Sequence, residues 1–231
     1  MRKYPVGAIR SLEREWRRCI HTFLRERTIA SIARATRIPI SRVAKMAHHL
    51  RVCMARDFPK RFVGPVELDE TYVGGQRKNQ KLHIRKIKGK RGHGTEKLPI
   101  VGLLDRFSGC AFVEVGPKLS MEHILDMLAT RVEAGGTVYS DGFKMYRMLP
   151  KHGYTHEYVN HNEDEYIRGD IHTNNVEGFW GILKRKLGCI GGVRRDRLPL
   201  FVGEIVWRFN NRNKTLKAQE EKLLRLVKKY K

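Results

Sequence analysis

The sequence has no long apolar run, no closely spaced pair of cysteines and few acidic side chains. No segment approaches the roughly 18 consecutive apolar residues of a membrane-spanning helix, and the first residues lack the apolar core of a secretory signal. The four cysteines form no C-x-x-C pair, so the sequence suggests neither a zinc ribbon nor a disulfide framework. They are expected to be buried thiols in a reducing compartment: Cys19, Cys53, Cys110 and Cys189.

The shortage of acids leaves a strongly basic chain. Its 231 residues carry 47 Lys and Arg against 24 Asp and Glu, a formal net charge of +23. Self-repulsion of this size is normally neutralised by a polyanion, and nucleic acid is the leading partner. A membrane surface is the rival polyanion, but the basic residues are spread through the whole chain, so we expect no membrane partner.

The N-terminal segment has the pattern of a small helical domain. Residues 11–56 are predicted to be helical, with apolar side chains spaced for one buried face. Thr28 and Ser41 are typical helix N-caps on either side of a short break at 37–40. This spacing favours a helix-turn-helix.

The second of these helices carries basic side chains suited to DNA. We expect it to direct Arg42, Lys45 and His49 outward, toward phosphates and base edges in a major groove. An ordinary helical bundle with a solvated basic face fits the pattern equally well.

A different pattern starts at Val66. Three predicted strands follow one another (VELDETYVGG, LPIVGLL and CAFVEVG), with a basic loop at 76–97 after the first. A helix capped by Ser120 comes next, then a strand (TVYSDG), a helical turn, another strand (THEYVNH) and helices to the end. This order predicts an α/β fold, a mixed sheet covered by helices.

The first predicted strand carries two acids on one face. Strand alternation puts Glu67 and Asp69 together, so a carboxylate lies in a strand that is expected to be central. Burying an unpartnered carboxylate costs several kcal/mol, by order of magnitude, and a metal ion would compensate. Pairing with a nearby Arg or Lys is the simpler interpretation for any single acid.

A second acid, Asp141, directly follows an apolar strand and precedes Gly142. The carboxyl end of a sheet strand is where α/β folds place ligand-binding groups. A turn built from the common S-D-G sequence is the alternative.

A third acid, Glu177, stands near the start of a predicted helix. Asn174 can cap this helix, which makes Glu177 a capping-box acid in the simplest interpretation. The face beside the apolar stripe carries Glu177, Gly181, Lys184 and Gly188. Two glycines inside a helix cost about 1 kcal/mol each relative to alanine, which indicates that something bulky approaches this face.

The spacing connects these acids. Asp141 and Glu177 have 35 residues between them, and Glu177 and Lys184 have six. Four blocks follow in order: 69-DETYVGG-75, 140-SDGF-143, 173-TNNVEGFWGILKR-185 and 207-WRFNNR-212. With these blocks the chain resembles the DDE transposases of small bacterial insertion sequences, and it is similar to Merlin-type transposases and retroviral-type integrases.

The resemblance implies a fold and a domain order. The fold is an RNase H-like mixed five-stranded sheet flanked by helices, expected at 61–215. A helix-turn-helix-like DNA-binding domain is expected at 1–60 and a basic helix at 216–231.

The resemblance also implies a catalytic site. Asp69, Asp141 and Glu177 are its expected catalytic residues and bind two Mg²⁺ ions roughly 3.5–4 Å apart, with Mn²⁺ as a substitute. Some relatives carry Asn or His where Glu177 stands, which makes Asn174 a secondary candidate. Glu67 is another, since it shares the strand face of Asp69.

The expected partner is double-stranded DNA, as element terminal inverted repeats and as target. Lys184 is expected to contact a phosphate beside the scissile bond, while the 76–97 loop and further basic residues hold DNA in a salt-dependent way. These further residues are Arg185, Lys186, Arg194 and Arg195, with Arg42 and Lys45 in the N-terminal domain.

The same resemblance predicts a homodimer or higher assembly, since two element ends must be cut together. The expected location is the cytoplasm and nucleoid, or the nucleus of a eukaryotic host. A cysteine-rich zinc module found at the N-terminus of many relatives has no counterpart here. A catalytically silent DNA-binding regulator and an RNase H-like nuclease are the alternatives.

Overall fold

A computed structural model of the chain describes residues 12–25, 28–74, 97–116, 118–159 and 172–230. The strands are β1 Val66–Val73, β2 Leu98–Asp105, β3 Ala111–Val115, β4 Thr137–Asp141 and β5 Thr155–Val159. The helices are α1 Glu13–Arg25, α2 Ile29–Thr36, α3 Ile40–Met54, α4 Met121–Arg131, a 3₁₀ helix Tyr146–His152, α5 Asn174–Cys189, α6 Leu198–Asn210 and α7 Leu216–Lys229. Within these described ranges no helix is both long enough and apolar enough to cross a membrane.

Contacts divide the chain into two compact units. One contains Met1–Phe58 and Pro199–Lys231, and the other contains Pro59–Leu198. The last two helices therefore belong with the N-terminal helices. The sequence had instead predicted that the first of these two helices lies in the catalytic domain at 61–215 and that 216–231 is a separate basic helix. The functions assigned to these segments stay predictions.

The helical unit contains a large apolar core. Trp16, Phe23 and Leu50 contribute to it from the N-terminal side, and Trp207 and Leu223 from the last two helices. The 207-WRFNNR-212 block thus contributes its first residue to this core, since the side chain of Trp207 is fully buried.

The two helices of the predicted helix-turn-helix are present, with one difference in capping. The Thr28 side chain caps α2 by accepting a hydrogen bond from the N–H of Ser31 at 3.1 Å, as predicted. Ser41 was expected to cap α3, but that helix begins at Ile40 and its N-cap is Pro39. Proline fits there because its fixed φ suits the entry to a helix and it has no N–H to satisfy.

The exposed face of α3 also differs from expectation at one position. Lys45 is exposed as predicted, and Arg42 is half-buried with Nη1 3.4 Å from Oε1 of Glu15. The prediction for His49 is wrong, since its ring is buried 5.4 Å from the ring of Trp16. The α3 helix is enclosed on more than one side, so a position that a single-stripe pattern assigns to solvent lies in the core.

The turn between α2 and α3 contains a strained residue. Arg37 has φ 54°, the only positive φ of a non-glycine residue in the described ranges. A side chain in this left-handed region costs roughly 1–2 kcal/mol, which glycine avoids.

We expect Arg37→Gly to raise the free energy of unfolding by up to about 1 kcal/mol, measured by urea denaturation. Arg34→Gly is the matched control inside α2 and should lower it by about 1 kcal/mol; a similar loss in both variants would contradict the assigned strain.

The second unit contains a five-stranded mixed sheet in the order β3-β2-β1-β4-β5. The first three strands are antiparallel neighbours, and β4 and β5 run parallel to β1. The α5 helix lies against β1 and β2, and the 3₁₀ helix contacts β5. This is the RNase H-like α/β architecture that the sequence predicted, with β1 at its centre.

The cysteines match the expectation only in part. Cys19 and Cys53 are buried, and burial raises the pKa of each thiol to about 12, which keeps it protonated. Cys110 is half-buried, and the prediction is wrong for Cys189, which is exposed near the end of α5. All four are free thiols.

Candidate catalytic site

Two of the predicted catalytic acids lie side by side on the sheet. The parallel strands β1 and β4 pair Val66 with Val138 and Glu67 with Tyr139. Continuing this register by two residues brings Asp69 level with Asp141, the last residue of β4. Because parallel strands at one level point their side chains the same way, the two carboxylates belong to one face of the sheet.

The charge of Asp141 acts on the pKa of Asp69. Burial raises the pKa of Asp69 to about 8, and the negative charges of Glu70 and Asp141 add to the shift. Hydrogen bonds from the backbone of Glu70 and the side chain of Trp180 act in the opposite direction. Two carboxylates that repel each other in a partly buried place form a site that a cation would stabilise.

A tryptophan from α5 holds Asp69. The indole N–H of Trp180 donates to Oδ2 of Asp69 at 2.8 Å. The far edge of the indole occupies the space above Gly102, where a β-carbon would lie 2.5 Å from Cη2. Gly102 is the β2 residue paired with Asp69, so the absence of a side chain there lets the indole reach the carboxylate.

Asp141 is held by its own turn. Its Oδ1 accepts a hydrogen bond from the N–H of Phe143 at 3.1 Å. The hydroxyl of the preceding Ser140 is fully buried and lies 2.8 Å from Nε2 of His156 on β5. Burial lowers the pKa of His156, so the ring is neutral and adds no charge to the site.

The third predicted acid is placed differently from expectation. The N-cap of α5 is Thr173 rather than Asn174, which makes Glu177 the fourth helical residue instead of the third. The Thr173 hydroxyl donates to Oε1 of Glu177 at 2.8 Å, and Glu177 is exposed. Asn174 is the exposed first residue of the helix.

Two carboxylates, those of Asp69 and Asp141, are arranged to suit a hard divalent cation. Among the described residues, no group of three or more His, Cys, Asp or Glu side chains is arranged to hold a metal ion. Mg²⁺ commonly takes one or two protein carboxylates and completes its octahedron with water and phosphate oxygens. The repulsion between Asp69 and Asp141 fits such an ion, while Glu177 is hydrogen-bonded to Thr173.

The outer face of α5 is open and basic. Lys184, Arg185 and Lys186 are exposed, as are Arg194 and Arg195 beyond the helix. A β-carbon at Gly178, Gly181 or Gly188 would meet nothing within 4 Å. The predicted apolar stripe on the opposite side is buried: Val176, Trp180, Leu183 and Leu187. The basic loop predicted at 76–97 lies outside the described residues except for Lys97.

Glu67 occupies a different place from the other acids. Its side chain is completely buried, and its carboxylate accepts hydrogen bonds from Arg106 and from the first turn of α5. The expectation that it shares the face of Asp69 is consistent with this, since α5 covers both residues.

Three contributions were missed at the level of sequence: the indole of Trp180 as a partner of Asp69, the space at Gly102, and the ion pair of Arg106 with Glu67. Trp180 had been assigned only to the buried stripe. The one available signal was Gly102 itself, a glycine inside an apolar strand, which indicates the close approach of another group.

The strand order, together with two acids level on neighbouring central strands, defines the second unit as an RNase H-like domain. Residues 61–210 match the model of the ISXO2-like transposase domain, and the chain belongs to this transposase family. This confirms the resemblance to insertion-sequence transposases that the four sequence blocks indicated.

Two curated proteins are similar to the chain. One, from Halobacterium salinarum, is described as an uncharacterized protein in transposable element ISH50; it is 34% identical over 198 residues, which cover 82% of this chain and 67% of the relative. The other, an uncharacterized transposase-like protein of Haemophilus influenzae, is 28% identical over 117 residues, which cover 51% of this chain and 93% of the relative.

Solved structures similar to the chain include the HTLV-2 integrase catalytic core domain in complex with magnesium. It is 11% identical, with a TM-score of 0.36, and the match covers 65% of this chain and 85% of that chain. A simian T-cell lymphotropic virus intasome in complex with a PP2A regulatory subunit matches with 11% identity and a TM-score of 0.39, over 83% of this chain and 67% of that chain.

Proposed function

We propose that this transposase-family protein cuts the ends of an insertion element and joins the resulting 3′-hydroxyls to target DNA. The observation that carries the proposal is the pair of carboxylates, Asp69 and Asp141, level with each other on neighbouring parallel strands beside α5. The family supports transposition in general, and the paired acids support phosphoryl transfer as the chemistry.

The proposed roles of the acids follow from their surroundings. Asp69 and Asp141 would hold Mg²⁺, and Glu177 would join them by turning its exposed side chain away from Thr173. When bound, Mg²⁺ ions would neutralise charge on the scissile phosphate and activate the attacking oxygen. Trp180 and the N–H of Phe143 would keep the two strand carboxylates in place during both cleavage and joining.

The proposed DNA surface is the outer face of α5. Its open glycines would allow a sugar-phosphate backbone to approach the helix closely, and the following basic residues would neutralise phosphates. For the helical unit, the residues proposed to contact DNA are Lys45 on α3 and Arg42 beside it. Cutting two element ends together would require two copies of the chain.

The test uses the intact protein with labelled duplexes that carry the DNA flanking its coding region. The proposal predicts Mg²⁺-dependent cleavage at a 3′ end and products joined to a second duplex. Cleavage without joining would instead support an RNase H-like nuclease. Binding with neither reaction, in Mg²⁺ and in Mn²⁺, would support a catalytically silent regulator. Short inverted repeats in the flanking DNA would independently support transposition.

The lysine two turns along α5 from Glu177 should act on binding more than on chemistry. Lys184→Ala removes one exposed lysine that is proposed to contact a phosphate, so we expect weaker DNA binding. The slope of the logarithm of the binding constant against the logarithm of the salt concentration should fall in magnitude by about one. Lys118→Ala, an exposed lysine before α4, is the matched control and should change neither quantity. A loss of joining as large as that caused by removing an acid, with normal binding, would place Lys184 in the chemistry instead.

A further inference from the structure

The most deeply buried acid of the sheet is not one of the two level carboxylates. Glu67 lies two residues before Asp69 on the central strand, and its side chain has no exposure to solvent. An ionised carboxylate in such a place needs a full set of donors. Glu67 has them, and most belong to the start of α5.

Two of those donors are backbone N–H groups that a helix N-terminus leaves without partners inside the helix. The backbone N–H groups of Asn175 and Val176 donate to Oε2 of Glu67 at 3.0 and 2.9 Å. The side chain of Asn175 donates to Oε1 at 2.7 Å. The first N–H groups of any helix lack intrahelical acceptors and carry partial positive charge, so a carboxylate there forms strong bonds. Glu67 therefore caps α5 from a distance of more than a hundred residues along the chain.

The side chain at the N-cap position does not cap α5. Thr173 makes no side-chain cap bond to the helix backbone, and its hydroxyl donates to Glu177 instead. The usual position for a capping side chain is thus occupied by a residue turned toward a predicted catalytic acid. The sheet supplies the missing acceptor through Glu67.

An arginine completes the arrangement from the turn after β2. Nε of Arg106 lies 2.9 Å from Oε1 of Glu67, and its guanidinium group stacks 4.2 Å from the ring centroid of Tyr139 on β4. Arg106 also donates to the main-chain carbonyl of His172 at 2.7 Å. One guanidinium group therefore ties Glu67 to the chain that enters α5.

The helix fixed in this way carries the groups that the proposed function needs. Glu177 and Asn174 lie in its first turns, and Trp180 reaches back to Asp69. We propose that Glu67 is a positioning residue that docks the N-terminus of α5 on β1, so that Glu177 is held where turning its side chain away from Thr173 would bring it to Asp69 and Asp141. This inference rests on the proposed function for its catalytic consequence, and it assigns Glu67 a role other than binding metal.

The first test of this role does not depend on activity. Glu67→Gln keeps the size of the side chain but replaces one acceptor oxygen by a donor, which opposes the donors around it. In the intact protein, hydrogen exchange of the amides at Asn175 and Val176 should become at least about tenfold faster, while exchange in β2 and β3 stays unchanged. Unchanged protection at both amides would overturn the proposal.

The second test separates positioning from a general structural defect. Groups that orient metal-binding side chains typically affect metal affinity or activity by about 10–100-fold when removed. The Mg²⁺ concentration at half-maximal cleavage should therefore rise by at least about tenfold in Glu67→Gln. A purely structural defect would reduce the amount of active protein and leave that concentration unchanged, which would count against positioning.

Two further variants keep the result interpretable. Asn175→Ala removes a single donor at an exposed position and should give a smaller change of the same kind, even if Glu67→Gln folds poorly. Glu114→Gln removes a carboxylate of β3 that is hydrogen-bonded to His123 on α4. This variant should alter neither the amide exchange of Asn175 and Val176 nor the Mg²⁺ concentration at half-maximal cleavage. A wild-type protein without Mg²⁺-dependent cleavage would overturn the proposed function, whereas the exchange measurement would still decide whether Glu67 docks the helix.

Discussion

Asp69→Asn and Asp141→Asn are each expected to abolish DNA cleavage and joining while DNA binding remains normal. A bound metal ion contributes several kcal/mol to stabilising charge in a phosphoryl-transfer transition state. Loss of one of two close carboxylates should therefore lower the rate by on the order of a thousandfold or more. The measurement is Mg²⁺-dependent cleavage of labelled end duplexes, alongside a binding assay in the absence of divalent ions.

The surroundings of the two acids make asparagine a clean substitution. An amide oxygen can still accept the indole N–H of Trp180 at position 69 and the N–H of Phe143 at position 141. The change therefore removes charge while leaving acceptors for both hydrogen bonds. Asp126→Asn is the matched control, because it makes the same change at an exposed position on α4 and should cleave normally.

Stability gives an independent check on Asp69→Asn. A carboxyl group whose pKa is raised by folding binds its proton more tightly in the folded state, so stability falls as pH rises from the unfolded pKa toward the folded value of about 8. Without metal at neutral pH, the asparagine variant should therefore be at least as stable as the wild type. Wild-type cleavage rates in either variant would exclude these acids from catalysis.

Much of the site was predictable because it depends on short-range patterns. Strand alternation and the boundary of β4 located Asp69 and Asp141, and the topology then placed them level. The spacing from Asp141 to Glu177 and on to Lys184 pointed to α5, the helix that lies against β1 and bonds to Asp69, and the roles of Glu177 and Lys184 stay predictions. These signals survive in sequence because strand and helix periods fix which residues share a face.

The remaining features arise from contacts between distant segments. The start of α5 was expected to be capped by Asn174, yet a carboxylate from the central strand caps it, and no local pattern encodes that acceptor. His49 was assigned to solvent by a single-stripe pattern, and α6 and α7 were separated from the helical unit that they help to form. In each case tertiary packing decides what the helical period leaves open.

Gly102→Ala is expected to be the most damaging single methyl addition among the described residues of the sheet. The new β-carbon would lie 2.5 Å from Cη2 and 2.7 Å from Cζ2 of Trp180, closer than atoms can approach. The indole must move, and its hydrogen bond to Asp69 is lost with it. Overpacking of this kind costs about 1–3 kcal/mol, and a misplacement of about 1 Å at a catalytic group can reduce the rate a hundredfold.

The measurements are the free energy of unfolding and the cleavage rate, with Gly178→Ala as the control for stability alone, since Gly178 lies on the proposed DNA surface. A β-carbon at Gly178 meets nothing within 4 Å, so this control should stabilise α5 by about 1 kcal/mol. Loss of stability in both variants would mean that neither effect comes from Trp180.

A double-mutant cycle with Trp180→Phe identifies the cause. Phenylalanine is shorter than tryptophan and leaves room for the new methyl group, so Gly102→Ala should cost much less in the phenylalanine background than in the wild type. Residues in direct contact give interaction energies of about 0.5–3 kcal/mol in such cycles. Strictly additive losses would show that the methyl group acts on some neighbour other than Trp180, for example Val113, whose Cγ1 would lie 3.0 Å away. Losses of stability that do not add would show that the methyl group acts through Trp180. If Gly102→Ala and Trp180→Phe each also reduce cleavage, the indole is what connects α5 to Asp69.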